Sequence, residues 1–543
     1  MSERSKFGTI LKEQWLSPIF AASAACFALF VSYRNDLWMT IDDRTIRLVQ
    51  LLGAAIAGLC ALLLAWKLRP AVRLYRFSLP LFLVSLFFSC WMAHCLLPYS
   101  VWKGKVPLLG AVASLPFLCM CAYCILQFVK ERRGFGLFCR ADAVIVPVFA
   151  AAAFLTVVLL YCKTTVFHMA GTSGTDSYDV LFTSDSGLIY SQDCYLNANA
   201  DENDLRQPYF ALAALPFGAA AKLIALFLPM FAYGYAVGLQ FVQIMAVFLS
   251  GYLLADVFGF EGRRKYIAIA AYTFCFSQVF FGLLIEQYAV GVFYLLLAVF
   301  FAKRRELLSV PLCALSVGGL LTNIVLAPFC VFCKEKGEKA AAAYLKRAAL
   351  GIFFLVFFMT VSGQLLQLHP ALVRYRLDRY AEFPPRLPLA GCVLQYTHFV
   401  ANLFLPAPAE VTADGAYRYQ LPAADGVRAE GVALFVLAIV CFFACLRERG
   451  AQICGYWILF SLVLFLGIGY GTGENGVILY SHYFAWAFIG LYLCALRKLC
   501  RVAGRGGERA FVLVGWLFVA ALAVSMAFAM RGIVEFGLQY YAV

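Results

Sequence analysis

Runs of about 20 apolar residues recur along this chain from Leu16 to Met530, separated by short charged segments. An α-helix needs roughly 20 apolar residues, at ~1.5 Å of rise each, to cross the hydrocarbon core of a bilayer. Of the 543 residues, 63% are hydrophobic and 14% are charged, whereas a soluble domain is about half apolar and a quarter charged. The sequence therefore predicts an all-α polytopic membrane protein.

The spacing of the apolar runs predicts about 15 transmembrane helices. They lie near residues 17–33, 49–66, 79–97, 106–128, 143–162, 233–256, 266–283, 287–302, 307–321, 323–333, 345–366, 430–446, 452–470, 481–497 and 510–530. Two long hydrophilic loops, 163–207 and 369–429, interrupt them. We expect a four-helix N-terminal membrane module, residues 1–141, followed by one transmembrane domain, residues 142–543.

Lys and Arg are distributed unevenly between the two predicted faces. With the N-terminus in the cytoplasm, 29 of the 44 Lys and Arg residues fall in inner segments, as the positive-inside rule requires. The net charge of +14 is then an inner-face charge that suits anionic lipid, and it gives no reason to expect a nucleic-acid partner. Both long loops are placed on the outer face.

The segment from Tyr209 to Leu228 is apolar enough to span the membrane. If it did, Arg263, Arg264 and Lys265 would move to the outer face, against the positive-inside rule. We therefore expect an interfacial or re-entrant helix on the outer face.

The 20 cysteines are mostly scattered singly within spans, where a free thiol acts as a small apolar residue. Cys194 and Cys392 stand clear of the spans in the two outer loops and could form a disulfide. The chain has no Walker loop, Rossmann glycine pattern or zinc-site spacing, which argues against an ATPase or a zinc protease. It also lacks an Asn-x-Ser/Thr acceptor, which favours a bacterial plasma membrane.

The loop 163–207 concentrates carboxylates in an otherwise apolar chain. They are Asp176, Asp179, Asp185, Asp193, Asp201, Glu202 and Asp204. A long acidic loop on one face of a membrane protein is a natural place for chemistry on a membrane-embedded substrate.

The order of parts after the fifth span resembles the GT-C superfamily of membrane glycosyltransferases, in particular the branch similar to dolichyl-phosphate-mannose-protein mannosyltransferases. The matching segments are Asn203-Asp204-Leu205-Arg206-Gln207-Pro208-Tyr209-Phe210, Glu286-Gln287-Tyr288, Leu321-Thr322-Asn323 and Tyr480-Ser481-His482-Tyr483-Phe484-Ala485-Trp486. In one respect the chain departs from the family pattern, because four spans precede the acidic loop. These spans are either extra packing scaffold or a module for partner or lipid contact.

The resemblance implies transfer of a sugar from a polyprenyl-phosphate donor on the outer leaflet to an acceptor hydroxyl on a glycan, lipid or protein, with inversion at the sugar. Such a reaction needs a carboxylate to accept the hydroxyl proton, and cationic or metal groups to stabilise the departing phosphate. Clustered carboxylates suit a hard divalent ion such as Mg²⁺ or Mn²⁺, and the resemblance leaves metal dependence open.

Candidate residues follow from these needs. The candidates for the base are Asp193, Asp185 and Asp204, each of which could equally be an ordinary turn or capping residue. The candidates for binding phosphate or sugar are Arg206, Glu286, Tyr288, Arg374, Arg376, Arg379 and His482. Interfacial anchoring of arginine and tyrosine at headgroup level explains Arg374, Arg376 and Arg379 as well as phosphate binding does.

Two other classes of function remain open from sequence. A transporter or lipid flippase would be expected to carry charges or broken helices at the bilayer midplane in two corresponding halves, and the chain has no internal repeat of that kind. A non-catalytic scaffold with the same architecture is the second alternative, because no single motif is diagnostic.

Overall fold

Over the residues that the structure describes, the chain folds into an all-α membrane protein with one pair of short antiparallel strands. The computed structural model describes residues 3–32, 41–74, 78–100, 105–132, 136–168, 180–182, 184–200, 203–229, 231–334, 338–382, 387–406, 409–413, 417–422, 426–472, 478–502 and 506–543. Within these residues, nine helices are long and apolar enough to cross a membrane, or ten if one bent helix pair counts as a span.

The first four helices form a compact N-terminal group. They are α1 (Glu3–Phe30), α2 (Asp43–Leu74), α3 (Leu79–Leu96) and α4 (Val106–Glu131). Helix α1 packs against α2 and α4, and α3 packs on α4. Buried alanines and Gly58 lie at the α1–α2 contact, where small side chains let two membrane helices approach closely.

The remaining helices follow in chain order. They are α5 (Asp142–Tyr161), α6 (Ser186–Ser191), α7 (Phe210–Ala225), α8 (Gly234–Val257), α9 (Arg263–Thr273), α10 (Phe276–Leu283), α11 (Tyr288–Lys303), α12 (Ser309–Gly319), α13 (Ala327–Val331), α14 (Ala340–Val361), α15 (Pro370–Glu382), α16 (Leu389–Asn402), α17 (Ala429–Ala444), α18 (Arg449–Leu462), α19 (Ser481–Val502) and α20 (Gly507–Tyr540). Short 3₁₀ turns precede α13 and α15, and a π-helical turn, Val463–Ile468, continues α18.

The predicted number of 15 spans is not confirmed. Each predicted segment coincides with helical structure, but at five of them the apolar helical stretch has only 10–17 residues. A helix of that length reaches about 15–26 Å, which is short of the ~30 Å hydrocarbon core. The segment predicted to lie at the interface is the 16-residue α7, which is also shorter than a span.

Helices α8 and α19 form the centre of the bundle. In their most apolar stretches, 78% and 72% of the residues are buried, against 6% for α5. Helix α5 therefore presents most of its surface outwards, as expected of a helix that faces lipid. Trp457 of α18 and Trp486 of α19 are fully buried in the same core.

The two long loops meet at one end of the bundle. Strands β1 (Glu410–Ala413) and β2 (Tyr417–Gln420) pair in antiparallel fashion, with Val411 opposite Tyr419. Tyr419 also exchanges backbone hydrogen bonds with Val180 and Phe182 of the acidic loop, at 2.8 and 3.0 Å. The loops that the charge pattern assigned to one face are thus physically joined.

All 20 cysteines are free thiols. Cys194 and Cys392 are both buried and do not form the disulfide considered from the sequence. Most of the other thiols are also buried within the helices, as expected of cysteine used as a small apolar residue.

Candidate functional site

Asp204 lies buried between two arginines. Arg206 Nε is 3.3 and 3.2 Å from the two carboxylate oxygens, and the Arg206 backbone N–H donates to Oδ1 at 2.7 Å. Arg376 of α15 reaches Oδ2 from the other long loop, at 3.3 Å. The Arg206 side chain is 35% exposed, whereas those of Arg376 and Asp204 are 9% and 3% exposed. Of the three, Arg206 is therefore the side chain best placed to meet a ligand.

Beside Arg206 lies an apolar cavity of about 270 Å³. It is lined by Leu205, Arg206, Leu320, Leu321, Thr322, Leu377, Trp457, Phe460, Leu464, Ile468, Tyr470, Tyr480, Tyr483 and Phe484. Three of these residues, Leu321, Leu377 and Ile468, are 39%, 55% and 45% exposed. The apolar cavity therefore has an apolar rim and one cationic group in its wall.

Local backbone structure shapes this cavity. The π-helical turn after α18 ends at Gly469, whose φ of 74° lies in the left-handed region that glycine adopts readily. The turn places Leu464 and Ile468 in the cavity wall. On the other side, the backbone N–H of Leu321 donates to the Arg206 carbonyl oxygen at 2.7 Å, which fixes Arg206 beside the cavity.

The buried Glu286 occupies the turn between α10 and α11. Gln243 of α8 holds this turn, because its Oε1 accepts from the Glu286 N–H at 3.0 Å and its amide donates to the Leu284 carbonyl at 2.6 Å. The Tyr195 hydroxyl lies 2.6 Å from the Glu286 carbonyl oxygen. Burial, and then the charge of Glu286, raises the pKa of Tyr195 well above its ordinary value. The acidic loop is thus locked to the Glu286 turn.

Asp185 immediately precedes α6, and its side chain does not cap that helix. It is partly exposed. Burial and the neighbouring Tyr470 raise the pKa of Tyr480 well above its ordinary value, while Arg206 lowers it and Asp185 raises it by smaller amounts. The charges of Asp185 and Arg206 therefore both influence the pKa of Tyr480, which lines the apolar cavity. The Tyr288 ring lies 5.1 Å from that of Tyr483, another lining residue.

Asp193 is engaged on both carboxylate oxygens. The Tyr235 hydroxyl donates to Oδ1 at 2.5 Å, and Lys222 Nζ lies 3.1 Å from Oδ2. The Tyr99 hydroxyl also donates to Oδ2. These contacts hold the Asp193 side chain in place.

The structure places the remaining predicted residues apart from this group. His482 is fully buried at the start of α19, and its Nδ1 donates to the Ser277 carbonyl oxygen at 3.2 Å. This contact ties α19 to α10. The Arg374 side chain is 87% exposed and lies 3.9 Å from Asp378. The backbone of Arg379 belongs to α15, but its side chain lies outside the described residues, as do Asp176, Asp179, Asp201 and Glu202.

Several site residues were not predicted from the sequence. Asn203 is buried and donates to the Cys194 and Asn197 carbonyls, both at 2.8 Å, while Gln287 donates to its Oδ1 at 2.8 Å. Gln367 donates to the Asn203 carbonyl at 2.7 Å. Polar amides inside apolar sequence are the signal that could have identified this group, because buried amides need partners.

Metal binding receives little support from the described carboxylates of the loop. Asp193 lies against Lys222, and Asp204 lies against two arginines, so cations already occupy the places that Mg²⁺ or Mn²⁺ would take. Among the described residues, one group of three ligands converges, Cys445, Glu448 and Cys494. Arg497 lies 2.6 Å from Glu448 in that group. Along α19, Cys494 of the group lies about 18 Å from His482. A divalent ion at the site stays a prediction.

No protein-family model, curated protein or solved structure matches this chain. The resemblance to GT-C glycosyltransferases therefore depends on the segments Asn203–Phe210, Glu286–Tyr288, Leu321–Asn323 and Tyr480–Trp486.

Proposed function

We propose that this protein is an integral membrane glycosyltransferase that moves a sugar from a polyprenyl-phosphate donor to an acceptor hydroxyl. The observation that supports it best is the position of Arg206 in the wall of the apolar cavity. A lipid phosphate joins an apolar chain to an anionic head, and this arrangement offers one surface for each. Guanidinium groups bind phosphate oxygens well because their paired donors match the oxygen geometry.

In this proposal the cavity holds the first part of the prenyl chain. Its volume of about 270 Å³ is close to the lower end of small-ligand sites, which is ~300 Å³, and its exposed apolar rim allows a longer chain to continue into lipid. Arg206 binds the phosphate. Arg376 supports it from the second loop through the Asp204 carboxylate that both arginines contact.

We assign the role of base to Asp185 among the three candidate carboxylates. Asp185 is partly exposed, and its charge raises the pKa of the cavity-lining Tyr480, whereas the Asp193 and Asp204 side chains are buried. In the proposed step, the acceptor hydroxyl gives its proton to Asp185 as its oxygen attacks the anomeric carbon. The bond from that carbon to the phosphate oxygen breaks, and polyprenyl phosphate leaves with its charge balanced by arginine.

The proposal includes an arrangement in the membrane. The N-terminus is cytoplasmic, the two long loops and the site face the outside, and the protein lies in the plasma membrane of a bacterium. The charge pattern of the sequence supports this orientation. The acceptor belongs to the cell envelope and is a glycan, a lipid or a protein.

The test is sugar transfer by the purified protein in lipid nanodiscs. Short-chain polyprenyl phosphates carrying mannose, glucose or arabinose serve as donors, and release of polyprenyl phosphate is followed by mass spectrometry. We expect Asp185→Asn to lower the rate about 100-fold or more while donor binding persists. Asp378→Asn, at a side chain that is 71% exposed, is the matched control and should keep full activity.

Two results would count against this function. If the wild-type protein binds polyprenyl phosphate sugars but only moves them between leaflets, the transporter or flippase alternative replaces it. If it neither binds nor transfers any of the donors, the non-catalytic scaffold alternative replaces the proposed function.

A further inference from the structure

Three elements converge on the carboxylate of Asp193. Tyr99 follows α3, Lys222 lies on α7 and Tyr235 lies on α8. Lys222 Nζ also lies 3.8 Å from the centre of the Tyr235 ring. Tyr99 comes from the four N-terminal helices, which the sequence left without a role, so this cluster joins them directly to the acidic loop.

The backbone of Asp193 needs these contacts. Its φ is 51°, in the left-handed region that costs a residue other than glycine about 1–2 kcal/mol. The hydrogen bonds and the ion pair at its carboxylate select this conformation. The Asp193 N–H reaches the Tyr190 carbonyl at 3.2 Å, and the next N–H, that of Cys194, reaches the Ile189 carbonyl at 3.0 Å. The cluster therefore also fixes the end of α6, the short helix that Asp185 precedes.

The N-terminal helices hold the same region at a second point. Trp91 Nε1 of α3 donates to the Ala219 carbonyl of α7 at 2.7 Å. At the adjacent Gly218, a Cβ would lie 2.9 Å from Leu196, so the loop packs directly on the α7 backbone. Leu196 belongs to the same apolar cluster as Leu96 of α3. Helix α3, α7 and the loop therefore form one packed unit.

The position of the acidic loop at Asp193 affects two parts of the site, Asp185 and the Glu286 turn. Two residues later, Tyr195 contacts the Glu286 turn. Asn203 holds the Cys194 carbonyl and directly precedes Asp204. A shift of the loop at Asp193 would therefore move Asp185 on one side and disturb the Glu286 turn on the other.

We infer that Tyr99 is a positioning residue, through which the N-terminal helices hold Asp193 and set the conformation of residues 184–200 and 203–206. The predicted effect of Tyr99 on catalysis rests on the proposed function, whereas its predicted effect on the conformation of the loop does not. Asp193 is then the residue through which Tyr99 acts. Neither residue touches the substrate.

The test compares Tyr99→Phe, which removes one oxygen atom, with Tyr123→Phe. Tyr123 lies on α4 of the same N-terminal group, and its hydroxyl accepts from the Ser78 N–H at 3.1 Å. Hydrogen exchange is measured on the full-length protein in nanodiscs. We expect Tyr99→Phe to speed amide exchange in residues 184–200 and 203–206 about fivefold or more, with α18 and α19 unchanged. Tyr123→Phe should leave that region as in the wild type.

Kinetics separate positioning from general loss of stability. Because Arg206 is also held by Leu321, we expect Tyr99→Phe to lower kcat about tenfold and to change the donor KM less than about twofold. Asp193→Asn should lower kcat at least as much, because it also weakens the Lys222 contact. The double variant should be no worse than Asp193→Asn alone, because the Tyr99 hydroxyl acts through the Asp193 carboxylate.

The outcomes distinguish the two proposals. Unchanged exchange in Tyr99→Phe, or additive kinetic effects in the double variant, would overturn the positioning role while leaving the glycosyltransferase proposal intact. Faster exchange in Tyr99→Phe, in a protein whose wild type transfers no sugar, would support positioning and count against the proposed reaction.

Discussion

Arg206 and Arg376 share the Asp204 carboxylate, whereas Arg374 points away from it. This difference matters because Arg374 and Arg376 are only two residues apart on α15. A helix turns by about 200° over two residues, so neighbouring basic residues in the sequence end on opposite faces. One face meets the acidic loop and the other meets solvent.

We predict that Arg206→Gln and Arg376→Gln each weaken the binding of a short-chain polyprenyl phosphate by about 10- to 100-fold. Hydrogen bonds to charged groups contribute about 1.5–3 kcal/mol, which corresponds to that range. Calorimetry on protein in nanodiscs measures the effect, with the neutral prenol as a ligand that neither substitution should affect. Arg374→Gln should change affinity less than about twofold, and an equal loss there would show that phosphate binds along the exposed face of α15.

The site could be predicted only in part from these residues. Asp204 and Arg206 are neighbours in the chain, so their association follows from the sequence. Arg376 is 172 residues from Asp204, and no local pattern encodes that pairing. Burial also distinguishes residues that are equal candidates for phosphate binding in the sequence. His482 is fully buried and Arg374 is 87% exposed, whereas Arg206 lies in the wall of the apolar cavity.

At the scale of elements, close contact between α11 and α12 sets one wall of the apolar cavity. A Cβ on Gly319, at the end of α12, would lie 2.6 Å from Gly291 Cα of α11. The backbones would have to separate to accept it. Leu320 and Leu321, which line the cavity, follow Gly319 immediately and would move with it.

We therefore predict that Gly319→Ala lowers the free energy of unfolding by about 1–3 kcal/mol and also weakens prenyl phosphate binding. Thermal unfolding in detergent measures the first effect. Gly282→Ala in α10 is the matched control, because an added Cβ there would meet its nearest atom at an ordinary 3.5 Å. If the two alanine variants were equally stable, close packing of α11 on α12 would not be important.

Element positions were predictable where the signal is local. Hydropathy over about 20 residues identified a helix at each of the 15 predicted segments. It could not separate a full span from a shorter helix flanked by apolar turns, as at α12 and α13. The β-hairpin at 410–420 was also missed, because its strands of four residues are stabilised by pairing with the acidic loop rather than by a periodic pattern of their own.

For the whole molecule, the central question is which face is outside. Helix α5 offers a natural test, because Cys139 and Cys162 lie just beyond its two ends and both are exposed. In right-side-out vesicles, a membrane-impermeant maleimide should label Cys162 on the side of the acidic loop and spare Cys139. Inverted vesicles should show the opposite labelling, and Cys139→Ser and Cys162→Ser identify each signal. Reversed labelling would place the site in the cytoplasm and contradict the proposed donor side.

The Asp204–Arg376 contact has a consequence for how the protein is made. At a synthesis rate of about 5–20 residues per second, the 172 intervening residues take roughly 9–34 s to be translated. During that time Asp204 has left the ribosome while Arg376 does not yet exist, and α7 to α14 must enter the membrane. The Asp204–Arg376 contact can therefore form only after α14 has been synthesised, and chains released before residue 376 would carry the acidic loop without its second arginine.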